Sequence, residues 1–330
     1  MQWDIALELG ENTIRLATRE NGLAFTAPSL GAMRNDRLIA IGEDALDMLG
    51  RAPAGIRVAR PLENGRISEP TLAAQWLARL LEPFTTGTKL TRPSVVFVEN
   101  GFMRQSEREL LTGTALELGA GECGALSSDI AAAVGAGMDI RRGDGFALAD
   151  IGAGRMSVSL IAYGRIARTR QIPYGMNRMD EDIIRLVRGR AALSIGPRTA
   201  EDVKLVLASA LPAREVTSAV TGLDMRSGFP GEREISAVLI REAVEPILDA
   251  LTLAVQEVVQ DAPDELSADL LRNGLILTGG GALLSGLDKV LADRCGLTCH
   301  IPETPGLCTG KGMARVIQDA ALSELAVRRL

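Results

Sequence analysis

The sequence predicts an α/β fold, because short apolar runs typical of buried strands alternate with segments of helical periodicity along the chain. Two acidic-glycine turns, one in each half, follow such strands, and a Thr-Gly-Gly-Gly segment follows a third. The strand-turn-strand opening shared by the two halves indicates an internal duplication. A chain of 330 residues exceeds one ordinary core, so two lobes are expected.

In the first half, each element follows from its pattern of apolar residues. Ser94 to Val98 is almost wholly apolar, as expected of a strand covered on both faces. Helical spacing places Leu72, Trp76, Leu77 and Leu80 on one face, so Trp76 is expected in the core. The predicted strands are Ile5 to Thr18 (two strands around a turn), Leu23 to Pro28, Leu38 to Gly42, Ser94 to Val98 and Phe146 to Asp150. The predicted helices are Glu43 to Leu49, Thr71 to Leu81, Gln105 to Leu118 and Asp129 to Gly137.

The second half repeats this scheme. A long helix is predicted where Ile247, Leu251, Val255 and Val259 share one face. The predicted strands are Ser157 to Tyr163, Arg165 to Pro173, Leu275 to Leu277, and a buried strand at Leu297 and Thr298. The predicted helices are Asp180 to Arg190, Thr199 to Ala210, Pro246 to Val259, Val290 to Cys295 and Gly312 to Leu330.

Charge and composition limit the classes of function. A net charge of -6 and a pI near 5.2 argue against nonspecific nucleic-acid binding, which requires a basic face, so no nucleic-acid partner is expected. The sequence shows no secretory signal and no apolar run near the ~18 residues of a membrane span. The cysteines lack metal-ligand or disulfide spacing, which predicts reduced core residues of a cytoplasmic protein. They are Cys123, Cys295, Cys299 and Cys308.

The glycine turns are the strongest chemical signal. A glycine turn between two strands lets backbone N–H groups converge on a phosphate, and a nearby carboxylate can hold the water shell of Mg²⁺. Asp150, Gly152 and Gly154 fit both requirements, although a plain β-hairpin has the same pattern. The three glycines after Thr278 permit close approach of a flat ligand such as adenine. Elsewhere, the helical spacing of Glu201 and Lys204 predicts an exposed ion pair.

Several further segments together carry a resemblance to one family. In chain order they are Arg60-Pro61-Leu62-Glu63-Asn64-Gly65-Arg66-Ile67, Ala131-Ala132-Ala133-Val134-Gly135-Ala136-Gly137, Met179-Asp180-Glu181, Gly196-Pro197-Arg198-Thr199-Ala200-Glu201 and Leu277 to Asp288. With the two turns they cover nearly the whole chain, and the ordered set is far more specific than any single motif. The sequence resembles the MreB family of rod shape-determining bacterial actin homologues, within the superfamily of actin, heat-shock chaperones and sugar kinases.

This resemblance implies an actin-like ATPase fold, in which two similar lobes, each with a subdomain insert, surround a nucleotide cleft. The implied subdomains are 1–27 plus 61–137 plus 312–330 (IA), 28–60 (IB), 138–172 plus 233–311 (IIA) and 173–232 (IIB). The implied cofactor is ATP or ADP with Mg²⁺. Such proteins polymerise head to tail into protofilaments, lie on the inner face of the cell membrane and organise wall synthesis with membrane proteins as partners.

The site residues implied by the resemblance follow by position. Glu8 and Asp150 would hold the metal through water, and Asp150 is also a candidate catalytic residue. Glu201 and Lys204 would flank the ribose and the adenine. The other nucleotide-contacting positions are Gly10, Glu11, Asn12, Thr13, Gly152, Ala153, Gly154, Arg155, Gly279, Gly280 and Gly281.

The two turns depart from the family pattern at residues that carry chemistry. Glu8 replaces Asp, and Glu11 stands where Thr is expected, in a first turn expected to be one residue short. A carboxylate beside phosphates is repulsive by about 1–4 kcal/mol at a separation of about 4 Å, absent a bridging cation. In the second turn Arg155 replaces Thr. It either binds phosphate and takes over part of a cation's role, or pairs with Glu8 or Glu11 and closes an empty site.

The largest departure concerns hydrolysis. Ser128 occupies the position of the family's glutamate, which orients the attacking water, and a hydroxyl cannot give the general-base help that is worth roughly 10²–10⁴-fold in rate. Asp129 is the candidate substitute, but a shift of one residue turns a side chain about 100° around a helix. The sequence therefore predicts slow or absent hydrolysis.

The sequence leaves three functional hypotheses open. The first is a filament protein that binds ATP but hydrolyses it poorly, and the second is a non-polymerising accessory module that binds a partner independently of nucleotide. The third, a small-molecule kinase, needs a base facing an acceptor, for which Asp129 and Asp150 are the best candidates. Attachment to a membrane is also open, since Gly101-Phe102-Met103 is either an insertion tip or a loop packed on the core.

Overall fold

The computed structural model describes residues 2–85, 92–212 and 215–329. Its strands are β1 (Ile5–Leu9), β2 (Thr13–Thr18), β3 (Gly22–Pro28), β4 (Gly31–Arg34), β5 (Arg37–Ile41), β6 (Arg57–Ala59), β7 (Leu62–Glu63), β8 (Arg66–Ile67), β9 (Ser94–Glu99), β10 (Glu122–Ser127), β11 (Phe146–Ile151), β12 (Met156–Ala162), β13 (Arg165–Ile172), β14 (Leu193–Ser194), β15 (Thr217–Asp224), β16 (Pro230–Ser236), β17 (Leu275–Thr278), β18 (Cys299–His300) and β19 (Val327–Arg329). Its helices are α1 (Glu43–Met48), α2 (Pro70–Thr85), α3 (Gln105–Glu117), α4 (Ser128–Gly135), α5 (Met176–Ala191), α6 (Pro197–Leu207), α7 (Ala237–Gln260), α8 (Asp264–Asn273), α9 (Leu287–Cys295) and α10 (Cys308–Gln318). Within these ranges, no helix combines the length and the apolar character that crossing a bilayer requires.

The chain divides into two compact units. Unit 1 comprises Met1–Gly143, Ile161–Ile166 and Gly306–Leu330, and unit 2 comprises Asp144–Leu160 and Ala167–Pro305. Each unit has its own hydrophobic core. The finer division into four subdomains, with the boundaries given above, stays a prediction.

In unit 1, the main sheet has the order β19-β10-β9-β1-β2-β3. β9 lies between the parallel strands β1 and β10, and all six of its residues are buried, as its apolar sequence predicts. α2 covers the sheet with the predicted face, on which Leu72, Trp76 and Leu77 are completely buried. Trp76 is therefore a core residue.

In unit 2, the corresponding sheet has the order β13-β12-β11-β17-β18, and its two central neighbours β11 and β17 run parallel. Both strands of the β11–β12 hairpin are buried along their whole length. The arrangement β12-β11-β17 thus matches β2-β1-β9 of unit 1, a hairpin whose first strand has a parallel neighbour. This match is the repeat that the sequence predicts.

Helix α7 begins nine residues before the predicted start at Pro246. Its N-cap is Ser236, whose hydroxyl accepts a hydrogen bond from the Leu239 N–H at 3.2 Å. A proline is favoured in the first turn of a helix, which made Pro246 a plausible start. Here Pro246 lies inside a helix of 24 residues, and the long apolar face around Ile247 and Leu251 compensates for the missing N–H.

The prediction of a helix from Gly312 to Leu330 is wrong in both bounds. Helix α10 already begins at Cys308 and ends at Gln318, and β19 follows as an antiparallel partner of β10; Leu330 lies outside the described residues. The pairing of β19 depends on a strand about 200 residues earlier, which local periodicity does not reveal. The strand predicted at Leu297 and Thr298 is also displaced, because Thr298 is exposed and the pairing involves β18.

Local periodicity also missed a hairpin, and it left one loop undecided. β15 and β16 form an antiparallel hairpin whose strands are rich in polar residues, so they lack the apolar pattern of a strand. In the loop after β9, Met103 is 5% exposed and packs in the core of unit 1, while Phe102 is half-buried. This packing supports the core-loop interpretation of that segment.

Candidate functional site

The first glycine turn, Gly10 to Thr13, connects β1 and β2. The Gly10 N–H donates to the Thr13 carbonyl at 3.1 Å, and a Cβ on Gly10 would lie only 2.5 Å from that oxygen. A side chain at Gly10 would therefore disrupt the turn. The Glu11 carboxylate accepts a hydrogen bond from the Gly65 N–H at 3.3 Å, and the Asn12 carbonyl accepts one from the Ser29 N–H at 3.0 Å.

The second turn, Gly152 to Arg155, connects β11 and β12 with the same closure. The Gly152 N–H donates to the Arg155 carbonyl at 3.0 Å, and a Cβ on Gly152 would lie 2.8 Å from it. The two turns thus have equal length, so the first turn is not short relative to the second. The carbonyls of Gly152 and Ala153 accept hydrogen bonds from Met176 and Asn177 at the start of α5, which fixes the turn against that helix.

Each carboxylate that precedes a turn is paired with an arginine of its own hairpin. In unit 1, Glu8 Oε2 lies 2.6 Å from Arg15 Nη1, and these residues face each other across β1 and β2. In unit 2, Asp150 Oδ2 lies 3.3 Å from Arg155 Nη2, and Asp150 Oδ1 accepts a hydrogen bond from the Thr278 hydroxyl at 3.2 Å. All four side chains of the two ion pairs are at most 16% exposed.

These pairs bear on the predicted metal. A carboxylate that holds the hydration shell of Mg²⁺ needs oxygens turned to that water, whereas here one oxygen of each carboxylate, Glu8 Oε2 and Asp150 Oδ2, contacts a guanidinium. Among the described residues, no group of three or more His, Cys, Asp or Glu side chains is arranged to hold a metal ion. The residues around the two turns therefore fit guanidinium-neutralised carboxylates rather than a water-held Mg²⁺.

The Thr-Gly-Gly-Gly segment has one outward glycine and two packed ones. A Cβ on Gly279 would meet the Ile151 carbonyl oxygen at 2.3 Å, and a Cβ on Gly281 would meet the Ile151 side chain at 2.3 Å. Both glycines thus let this segment pack against β11. Gly280 is exposed, and nothing lies within 4 Å of its hypothetical Cβ. Gly280 is therefore the glycine with space for a ligand.

Lys204 has a different partner from the one that helical spacing predicts. Its Nζ lies 2.7 Å from Asp180 Oδ2, with side-chain exposures of 10% and 14%, so this pair joins α6 to α5 in a largely buried position. The expected exposed ion pair with Glu201 is wrong in this respect, although Glu201 itself is exposed on α6. The roles of Glu201 and Lys204 beside a ribose and an adenine stay predictions.

The two candidates at the start of α4 for activating water are both buried. Ser128 and Asp129, at the start of α4, are 4% and 2% exposed, and the Ser128 hydroxyl lies 3.3 Å from Asp129 Oδ1. A general base must reach the proton that it removes, and the role of Asp129 stays a prediction. Asp150, the third candidate, is 6% exposed and held by the partners described above.

Sequence reasoning assigned no role to Arg15 or Thr278. Arg15 could have been found from hairpin register alone, because a turn centred between Glu11 and Asn12 places it opposite Glu8. Thr278 belongs to a quoted motif, but its hydroxyl partner is across a parallel strand pair, a contact that sequence spacing does not reveal.

The cysteines have structural surroundings. All four are free; Cys123 and Cys308 are buried, and Cys295 and Cys299 are half-buried. Burial raises the pKa of the Cys123 thiol to about 11 and that of Cys299 to about 12. Neutral thiols at ordinary pH are poor nucleophiles and poor metal ligands, as expected for core cysteines.

Comparison with known proteins identifies the family. The family model described as "MreB/Mbl protein" matches residues 2–324. The cell shape-determining protein MreB of Escherichia coli strain K12 is 31% identical and the alignment covers 96% of this chain and 93% of that protein. The cell shape-determining protein Mbl of Bacillus subtilis strain 168 is 29% identical over 99% and 98% of the two chains.

A solved structure gives the same result for the fold. MreB5 of Spiroplasma citri, crystallised with ADP, is 30% identical, has a TM-score of 0.90 and covers 97% of each chain. The same protein has also been crystallised with AMPPNP, and that structure gives a TM-score of 0.89. The likeness confirms the actin-like α/β fold that the motifs predict, and by sequence and by structure this chain belongs to the MreB/Mbl family.

Proposed function

We propose that this chain is a filament-forming cell-shape protein that binds ATP or ADP at its glycine turns and hydrolyses ATP slowly or not at all. The observation that carries the nucleotide proposal is the identical closure of the turns at Gly10 and Gly152, each with a glycine that no other residue can replace without a clash. Support comes from MreB5 of Spiroplasma citri, which was crystallised with ADP and with AMPPNP.

The proposal of weak hydrolysis has a separate basis. Ser128 stands at the position of the family's glutamate and carries no base, and Asp129 is 2% exposed beside it. Loss of general-base help slows a reaction by roughly 10²–10⁴-fold without preventing the nucleotide from binding. Nucleotide would then serve chiefly as a bound ligand.

Self-assembly is the third part of the proposal, and membership of the MreB/Mbl family supports it. Matches that cover 93% of MreB of Escherichia coli and 98% of Mbl of Bacillus subtilis leave little of those proteins without a counterpart here. Assembly of this chain into head-to-tail protofilaments, a cytoplasmic location at the inner face of the membrane, and partners among the membrane proteins of wall synthesis all belong to this proposal. Sedimentation of purified chain with and without ATP tests the first, and cell fractionation tests the second.

The nucleotide proposal has a direct test at Gly280. A Gly280→Ala variant places a methyl group in open space, so the thermal unfolding midpoint should stay unchanged while the affinity for ADP and ATP, measured by titration calorimetry, falls at least about tenfold. Gly189→Ala is the matched control, because its Cβ also meets nothing within 4 Å and it lies in α5. Undetectable nucleotide binding by the unmodified chain would reject the proposal and favour the nucleotide-independent accessory module.

A further inference from the structure

We infer that this chain binds its nucleotide without Mg²⁺, and that the Arg155 guanidinium supplies, at the second turn, the positive charge that a metal ion would otherwise supply. This inference rests on the nucleotide binding proposed above and concerns its cofactor requirement. Glu8 and Asp150 are the two carboxylates at which the family resemblance would place the metal.

Both of those carboxylates already have a cationic partner within their own unit. Arg15 Nη1 lies 2.6 Å from Glu8 Oε2 in unit 1, and Arg155 Nη2 lies 3.3 Å from Asp150 Oδ2 in unit 2. The second oxygen of Asp150 accepts the hydroxyl of Thr278. A hydrated Mg²⁺ at either carboxylate would have to compete with a guanidinium that already neutralises it, and would be repelled by the charge of that guanidinium.

Arg155 is placed to act on an anion while remaining paired. A guanidinium has five N–H donors in a planar fork, and the described contacts direct Nη2 to Asp150 and Nη1 to the Ser157 hydroxyl at 3.3 Å. Its side chain is 14% exposed, so it is not fully enclosed. Because Arg155 is also the residue whose carbonyl closes the phosphate-type turn, its charge and the turn backbone belong to one local site.

The anchoring of this arginine gives Asp150 a role that needs no metal. A lone arginine on a turn samples many rotamers, whereas a carboxylate partner and a hydroxyl partner hold the fork in one orientation. Asp150 is in turn oriented by Thr278 from the neighbouring strand. Asp150 is therefore a positioning residue for Arg155 in this chain, in place of a metal-holding role.

The test is titration calorimetry of the full chain with ADP and with ATP, each in excess EDTA and in excess Mg²⁺. We expect dissociation constants that agree within about threefold between the two conditions. In the Arg155→Thr variant, which restores the family's residue, we expect affinity in EDTA to fall at least about tenfold and Mg²⁺ to restore it, because Asp150 is released for hydrated metal. Arg155→Lys keeps the charge without the planar fork, so its affinity in EDTA should lie between those of the unmodified chain and of Arg155→Thr.

The outcomes separate the two proposals. Binding by the unmodified chain that requires Mg²⁺ would overturn the inference and leave the proposed nucleotide function intact. If the unmodified chain shows no nucleotide binding in EDTA or in Mg²⁺, both the inference and the proposed nucleotide function are overturned.

Arg168→Thr, a change to an exposed arginine on β13 of unit 2, is the control for removal of one positive charge and should bind nucleotide like the unmodified chain. A circular dichroism melt of each variant confirms that it is folded, and a folded Arg155→Thr chain that binds equally well in EDTA would also refute the role of Arg155.

Discussion

Gly312 lies directly against the backbone of Ala131: a Cβ built on Gly312 would be only 1.7 Å from the Ala131 carbonyl oxygen. The contact is reciprocal, since a Cβ on Gly135 would lie 1.7 Å from the Cys308 carbonyl oxygen. Helices α4 and α10 of unit 1 therefore cross with their backbones in contact, which only glycine permits at these two points. The Ala-Ala-Ala-Val-Gly segment used for family resemblance is thus a packing motif, and the same helix begins with Ser128.

We expect Gly312→Ala to lower the free energy of unfolding by about 2–3 kcal/mol or more, because the methyl group forces the helix backbones apart. Chemical denaturation of the purified variant measures this. The control is Gly113→Ala in α3, where nothing lies within 4 Å of the added Cβ; there alanine should stabilise the helix by about 0.5–1 kcal/mol. Equal effects at the two positions would show that the crossing is looser than described.

The Asp150–Arg155 pair should show energetic coupling in the apo protein. Arg155→Met leaves a carboxylate that is 6% exposed without its guanidinium, and we expect a loss of about 1–3 kcal/mol in the free energy of unfolding. Asp150→Asn alone should also destabilise. The double variant should lose less than the sum of the two, with a coupling of about 1–2 kcal/mol. Strict additivity would indicate that the two side chains do not interact.

Ser128→Glu should raise the rate of ATP hydrolysis. The change places a carboxylate at the position that the resemblance assigns to the family's glutamate, and we expect a rise of about 10²-fold over a slow unmodified chain, measured as phosphate release. A glutamate in the first turn of α4 is also compatible with the helix dipole. Ser127→Glu is the matched control, because it adds the same charge at the neighbouring N-cap, whose side chain makes no capping hydrogen bond. A fast unmodified chain, or a rise in the control, would contradict the assignment.

The Lys204–Asp180 pair predicts a structural role that can be measured without nucleotide. Lys204→Met removes a cation that is 10% exposed and leaves Asp180 largely buried, so we expect a loss of about 1–3 kcal/mol in the free energy of unfolding. Glu201→Gln, on the exposed side of the same helix, should change stability by less than about 0.5 kcal/mol. If the two variants have equal free energies of unfolding, the Lys204 ion pair does not stabilise the packing of α5 against α6.

Sequence reasoning predicted the elements that carry their own signal. The hairpins at Gly10 and Gly152 combine apolar strands with glycine turns, and the helix containing Trp76 has a continuous apolar face, so both were found with bounds close to the observed ones. Features that depend on a distant partner were missed. The C-terminal strand β19 forms because β10 offers an edge, and helix α7 extends before Pro246 because Ser236 caps it.

The candidate site shows the same division. The glycine turns can be predicted from residue types and spacing, and the departures at Ser128 and Arg155 follow from the resemblance to the family. The partner of Arg155 could not be predicted, because an arginine beside a turn can reach several carboxylates and only packing selects Asp150. Likewise Lys204 has an acidic residue one helical turn away, yet it pairs with α5, because burial between the helices favours a closely held partner.

Glu245 on α7 should make stability dependent on pH. The pKa of the Glu245 carboxyl lies below its ordinary value, chiefly because Arg294 of α9 donates a hydrogen bond to it. The positive charge of Arg241, 2.6 Å away, lowers this pKa further. A carboxyl with a lowered folded-state pKa contributes stability above its unfolded pKa, and that contribution is lost as pH falls through the folded value. The Glu245 side chain is 40% exposed, so solvent screening limits the contribution to about 0.5–1 kcal/mol.

We therefore expect Glu245→Gln to destabilise by that amount near neutral pH and to match the unmodified chain well below the ordinary carboxyl pKa. Urea unfolding across this pH range measures the difference, with exposed Glu234→Gln as the control; a Glu245→Gln deficit that persists in acid would show that shape, and not charge, accounts for the loss.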